Sequence, residues 1–197
     1  MVDYSLMLPP PTRRAGYTLV ELLTVLTIAL VMILLTTRMA GYLSTRRMES
    51  AIALVENTVL LAKETAILKR VPVMMVVPVK GDTAFQGMAL YEQLPNGTEW
   101  KAMTGWRAFP PGVAFDGTGA DSPFQKPATL PDGFPATLQL GARSVASSEV
   151  CGVLFDASGR SLHYPVLELR LQSDAGGGAP VNLRIPEMMQ EVEVAGP

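Results

Sequence analysis

Cysteine and histidine are nearly missing from this sequence, with one of each, Cys151 and His163. A lone cysteine excludes an intrachain disulfide and does not report the redox compartment; it reads as a small buried hydrophobe. No second ligand pair accompanies these two residues, and a zinc site or a Cys–His nucleophile needs converging ligands. His163 therefore reads as a strand or surface residue, and no metal or other cofactor is expected. Charge is also scarce, at 17% of residues with a formal net charge of −2, so nothing draws the chain as a whole to nucleic acid. Glycine-rich phosphate loops are lacking: Gly117–Gly119 has the wrong spacing, and Gly176–Gly178 is not followed by Lys-Ser/Thr. With no catalytic constellation, enzyme activity is not expected. What the sequence does have is apolar residues, 48% of 197, too many for a disordered chain. Their excess gathers near the N-terminus. The length allows one ordinary domain plus an appendage.

Residues 1–16, MVDYSLMLPPPTRRAG, cannot be helical throughout, because Pro9, Pro10 and Pro11 remove three donors and fix φ. From Tyr17 to Leu35 the run YTLVELLTVLTIALVMILL carries one charge, Glu21. As a helix it would span roughly 28 Å, close to the hydrocarbon thickness of a bilayer. A secretory signal peptide has a shorter apolar region and small residues at its cleavage site; here Arg38-Met39-Ala40 follows the run. A plain membrane anchor fits the length but leaves Glu21 unexplained. A charge at the bilayer centre costs roughly 2.5–3.5 kcal/mol, less toward an edge. Glu21 lies about 6 Å inside the run, so it asks for a partner. A cut after Gly16 would supply one: the new amine at Tyr17 would be a positive charge one helical turn away, able to neutralise the carboxylate within one chain or between neighbouring helices.

Arg13-Arg14-Ala15-Gly16 followed by Tyr17-Thr18-Leu19-Val20-Glu21-Leu22-Leu23 resembles the processing site of type IV prepilins and type II secretion pseudopilins. The resemblance implies that residues 1–16 are a leader removed by the prepilin peptidase after Gly16. It implies that Tyr17, where phenylalanine is commoner, becomes the N-methylated first residue. It further implies that Glu21 pairs with a neighbouring subunit's N-terminus during assembly. The partners implied are other pilin or pseudopilin subunits, an inner-membrane assembly platform and the lipid bilayer. Arginines flank both ends of the apolar run, Arg13 and Arg14 against Arg38, Arg46 and Arg47, so the positive-inside count is ambiguous. A cytoplasmic N-terminus with a periplasmic head, on a single pass through a bacterial inner membrane, rests on the resemblance alone.

No proline occurs between Tyr17 and Arg70, and helical character continues past the apolar run. Residues 17–37 read as a transmembrane and assembly helix, and 38–70 as its amphipathic continuation. Met48, Ile52, Val55, Val59, Ala62 and Ala66 recur at spacings of four and three, one stripe on a helix. Arg47, Glu49, Glu56, Lys63 and Glu64 lie largely off it. The stripe fits either core packing against a sheet or an inter-subunit coiled coil. Gly41 leaves open a hinge at Met39–Tyr42, and Val71-Pro72 ends the helix.

Residues 71–197 read as a β-rich head. Strands are expected at Val73–Val79, Met88–Leu94, Glu99–Met103, Val113–Phe115, Thr137–Leu140, Val150–Phe155, Val166–Gln172 and Val181–Ile185, with turns at Gly81-Asp82, Pro95-Asn96-Gly97, Asp156–Gly159 and Gly176–Gly178. The first two strands should pair, the last two should form a hairpin, and Asp116–Gly133 reads as a loop. The expected class is α+β, a long N-terminal helix packed on an antiparallel sheet head, as in pilins. The helix end AKETAILKRVPVMMVV and Gly152–Arg160, GVLFDASGR, resemble the GspH/FimT group.

The segment Asp116–Ser122, DGTGADS, lacks the glutamate and glycine placement of an EF-hand and reads as a solvated loop. The resemblance keeps calcium binding there open, since some pseudopilins bind it in a head loop. The tail Pro186–Val194 carries three carboxylates and no basic residue, so no nucleic-acid partner is expected. The expected function is a minor pseudopilin or pilin subunit, in a type II secretion pseudopilus or a type IV pilus. The alternative is a single-span anchored binding module that does not polymerise.

Overall fold

The computed structural model describes residues 18–117, 122–124, 130–162, 167–173, 180–186 and 193–195, excepting the side chains of 36–44, 167, 193 and 195. One helix, α1, runs from Leu19 to Lys69 without a break at Gly41. It ends at Arg70, which takes a left-handed φ of 55°, the conformation that stops helices and is usually given to glycine. Val71 and Pro72 then lead into a strand, as the sequence predicts. By internal contacts the chain divides between Ala40 and Gly41 into two units.

In the first unit, the described side chains from Thr18 to Leu35 are all exposed. Apolar groups cover every side of the helix, with Leu19, Val25 and Ile28 each exposed by more than 60%. This described apolar run measures about 25 Å. Among the described residues, no helix is long and apolar enough to cross a membrane.

The second unit is α+β. Among the described residues eleven strands follow the helix: β1 (Val73–Pro78), β2 (Gly87–Gln93), β3 (Trp100–Ala102), β4 (Arg107–Ala108), β5 (Val113–Phe115), β6 (Thr137–Leu140), β7 (Arg143–Ala146), β8 (Val150–Phe155), β9 (Leu167–Ser173), β10 (Val181–Ile185) and β11 (Glu193–Ala195). The first sheet has the order β3-β2-β1-β8, with β4 also on β2; the second has the order β11-β10-β9-β5; β6 and β7 form a two-stranded sheet. Every pairing is antiparallel. The expected β1–β2 pair and β9–β10 hairpin are both present. The arrangement is not a simple meander, because β8 returns from far along the sequence to pair with β1.

Alternation along the strands divides the interior in two. Val73, Met75 and Val77 of β1, Met88 and Leu90 of β2, and Cys151, Val153 and Phe155 of β8 join a core with Leu169, Leu171, Leu183 and Ile185 of the second sheet. The helix covers this core with Ala51, Val55, Val59, Ala62 and Ala66, while Met48 and Ile52 pack at its margin. The predicted stripe thus packs inside the chain. Lys63 departs from expectation: it is only 5% exposed. It lies four residues after Val59 and three before Ala66, hence beside the stripe, and its Nζ donates to the Pro186 carbonyl at 2.6 Å. Burial holds its ammonium below the usual lysine range.

The opposite set, Met74 and Val76 of β1, Ala89 and Tyr91 of β2, Trp100 of β3 and Val150 of β8, forms a second cluster with Leu138, Leu140 and Val145. Residues 130–146 lie over this outer face, so β1 is buried on both sides. Gly152 makes room for Met74 there: a Cβ at that position would stand 2.0 Å from the Met74 Cε.

Candidate functional site

Three residues carry the sequence-predicted site. Gly16 and Tyr17 lie outside the described residues; Glu21 lies within them, in the first turn of α1. Its carboxylate turns back on its own helix. The Thr18 N–H donates to Glu21 Oε2 at 3.1 Å, and the Thr18 hydroxyl donates to the same oxygen at 3.2 Å. In return, the Glu21 N–H donates to Thr18 Oγ1 at 3.2 Å. This reciprocal pattern is a capping box, in which two of the orphan donors of a helix start are satisfied. The carboxylate also sits where the helix dipole favours negative charge. Among the described residues Oε1 accepts no hydrogen bond, so half of the carboxylate is left for another donor.

Two more polar side chains follow in the apolar segment, and both satisfy themselves on the preceding turn. The Thr24 hydroxyl reaches the carbonyls of Val20 (2.9 Å) and Glu21 (2.8 Å), and the Thr27 hydroxyl reaches Thr24 O (2.8 Å). Such back-bonding lets threonine sit in an apolar setting without an unpaired donor. Glu21 is therefore the single charge on a segment otherwise suited to an apolar surrounding. The sequence reading singled out Glu21 but missed Thr18, whose signal was the T-x-x-E spacing.

The head holds no converging set of reactive groups among the described residues, and no group of His, Cys, Asp and Glu there could hold a metal ion. Cys151 is buried, its Sγ donates to Phe124 O at 3.5 Å, and burial pushes its thiol pKa up. Its conversion to a reactive thiolate is thereby disfavoured. His163 lies outside the described residues, as do four positions, 118–121, of the candidate calcium loop. The loop's first carboxylate, Asp116, is buried with Arg170 beside it, Nε to Oδ2 at 3.6 Å, and its N–H donates to Arg170 O at 2.7 Å. A guanidinium thus already faces the oxygen that a cation would need.

The GVLFDASGR segment is the end of β8 and the turn that follows it. Asp156 Oδ1 accepts from the Ser158 N–H (2.8 Å), the Ser158 hydroxyl (2.6 Å) and the Arg160 N–H (3.0 Å). Desolvation alone would raise the Asp156 pKa, but these hydrogen bonds and the Arg160 charge outweigh it and hold the carboxyl low. Gly159, at φ 78°, brings the turn against α1: a Cβ there would meet Ile67 Cδ1 at 2.9 Å.

Residues 11–37 match the family described as Prokaryotic N-terminal methylation motif. The match covers the basic residues, Gly16, Tyr17 and the first turns of α1, and it ends before the head. No curated protein and no solved structure matches the chain. Proteins with this motif are type IV pilin-like structural subunits rather than enzymes, processed by a prepilin peptidase and assembled with other pilin subunits. At its N-terminal end this chain carries the prokaryotic N-terminal methylation motif characteristic of type IV pilins and pseudopilins.

Proposed function

We propose that the chain is a minor pseudopilin or pilin subunit of the GspH/FimT kind, serving a type II secretion pseudopilus or a type IV pilus. Prepilin peptidase cuts after Gly16 and Tyr17 becomes the N-methylated first residue. Residues 17–37 hold the subunit in the bacterial inner membrane as a single pass, with the N-terminus cytoplasmic. Residues 38–70 continue the helix into a periplasmic head, residues 71–197. An inner-membrane assembly platform then brings subunits together, and Glu21 pairs with the N-terminal ammonium of a neighbour. The observation that carries this reading is the methylation motif at 11–37, which runs into the start of a helix whose exposed apolar surface bears a single carboxylate in its first turn. Helix packing in a filament or in lipid would remove that apolar surface from water, the main favourable term in association.

The capping box gives the second reading, a single-span anchored binding module, a specific point in its favour: Glu21 has a structural role even in a chain that never polymerises. Two substitutions separate the readings. Glu21→Gln keeps an N3 side chain that can accept the Thr18 N–H, since glutamine serves in capping boxes as glutamate does, but it removes the charge. Glu21→Ala removes both. In the native host, cross-linking of membrane-embedded subunits should show assembly lost in both variants, with membrane retention and head folding intact. Assembly of Glu21→Gln at the native level would refute charge pairing and leave capping as the residue's role.

A further inference from the structure

The second cluster is covered in an unusual way. Residues 130–146 cross the outer face of the first sheet, yet among the described residues no hydrogen bond joins them to it. Their bonds are the β6–β7 ladder, Phe134 N–H to Pro131 O and Gln139 to Ser144 within the segment, and Ser147 N–H to Ala136 O from the 3-10 turn that follows it. The polar link to the loop after β1 is Arg143 with Asp82 at 3.7 Å, a pair whose side chains are 57% and 91% exposed, which contributes little. The cover is held by Leu138, Leu140 and Val145, and by Phe134, whose ring lies 5.3 Å from that of Tyr91 and 5.5 Å from that of Trp100. Apolar contacts of this kind have no fixed partner, unlike a hydrogen-bonded ladder.

Beneath the cover lies a polar defect. Trp100 is 8% exposed, and among the described residues its indole Nε1 has no hydrogen-bond partner. A buried indole N–H normally finds one. Closed, the cover keeps that donor from water; lifted, it lets water satisfy the donor. The defect therefore acts against closure and weighs on this layer, because Trp100 belongs to the second cluster and not to the core beneath α1.

We propose that residues 130–146 form a strap that opens as a unit while the rest of the head stays folded, uncovering Met74, Val76, Tyr91 and Trp100. The strap is fixed at its C-terminal end, where the Val79 N–H donates to Glu149 O at 2.9 Å, and this places the pivot beside the 3-10 turn Ser147–Glu149.

Amide hydrogen exchange of the full chain in nanodiscs tests this directly. The β6 and β7 amides should exchange at least about a hundredfold faster than those of β1 and β8, and with a denaturant dependence that is shared across the strap but smaller than that of global unfolding, the mark of a sub-global opening that exposes part of the buried surface. Equal protection in β6, β7 and β1 would overturn the proposal. A second measurement isolates the defect: benzothienylalanine at position 100 keeps the ring shape without the N–H. Removing an unsatisfied donor should slow exchange in the strap at least about fivefold and leave β1 unchanged. Unchanged or faster strap exchange would overturn the assignment of Trp100 as the element that biases opening.

Discussion

Val59 and Leu60 are neighbours in α1 that should respond to truncation in the reverse order of their size. Val59 is 1% exposed and lies in the core between the helix and the sheets, while Leu60 is 46% exposed. Val59→Ala removes two carbons from a closed site. The transfer loss is about 1.6 kcal/mol at 0.8 kcal/mol per methylene, and the residual cavity brings the cost to about 2.5 kcal/mol. Leu60→Ala removes three carbons from a half-exposed side chain and installs the best helix former, so the net cost is at most about 0.5 kcal/mol. For a unit of the size of Gly41–Pro197, 1 kcal/mol moves Tm by roughly 2–4 °C. Thermal unfolding followed by near-ultraviolet circular dichroism should thus fall about 5–10 °C for Val59→Ala and no more than about 2 °C for Leu60→Ala. Equal losses, or a larger one for Leu60→Ala, would refute the packing of the stripe against the sheets. An inter-subunit role for the helix's other face would then account better for its apolar residues.

Other consequences can be checked on the same material. Gly133 has φ 78°, and a Cβ there would stand 1.7 Å from the backbone Thr98 O, whereas Gly81 has φ 82° and open space around it. Gly81→Ala should cost about 1 kcal/mol from conformation alone, and Gly133→Ala about 3 kcal/mol once overpacking is added, as read by urea unfolding. Lys63 is held below its ordinary value of 10.5 in the folded state, so between the two values the unfolded chain binds more protons and this residue's contribution to stability rises with pH. The stability difference between wild type and Lys63→Met should therefore shift toward wild type as pH rises through the alkaline range to about 10.5, and a flat difference would contradict the burial of the amine. Cys151 should react with a disulfide reagent at pH 8 at least about a hundredfold more slowly in the native protein than in urea, because burial both shields the thiol and raises its pKa.

Much of this fold is legible in local pattern, and what escapes is nonlocal. Val113–Phe115, Thr137–Leu140, Val150–Phe155 and Val181–Ile185 fall where alternation and turn residues place them. The helix ends where Val71-Pro72 forbids its continuation. Arg107–Ala108, Arg143–Ala146 and Glu193–Ala195 escape because they are short and polar, and become strands only through the partners they meet. The second cluster escapes for a related reason: the wholly apolar β1 announces burial on both faces, but nothing local says that a segment sixty residues later supplies the second cover. Lys63 reads as a surface charge because periodicity does not reveal that the end of β10 waits beside it. At the candidate site, the spacing of Glu21 from Gly16 and Tyr17 is legible, and so was T-x-x-E, had the helix start been placed at Thr18.

Cleavage after Gly16 is read without ambiguity by intact-mass spectrometry of the protein purified from membranes of its native host. A processed prepilin has the mass of residues 17–197 plus one methyl group, with fragmentation placing that methyl on Tyr17. A chain that keeps residues 1–16, or one cut beyond Leu35, would contradict that processing.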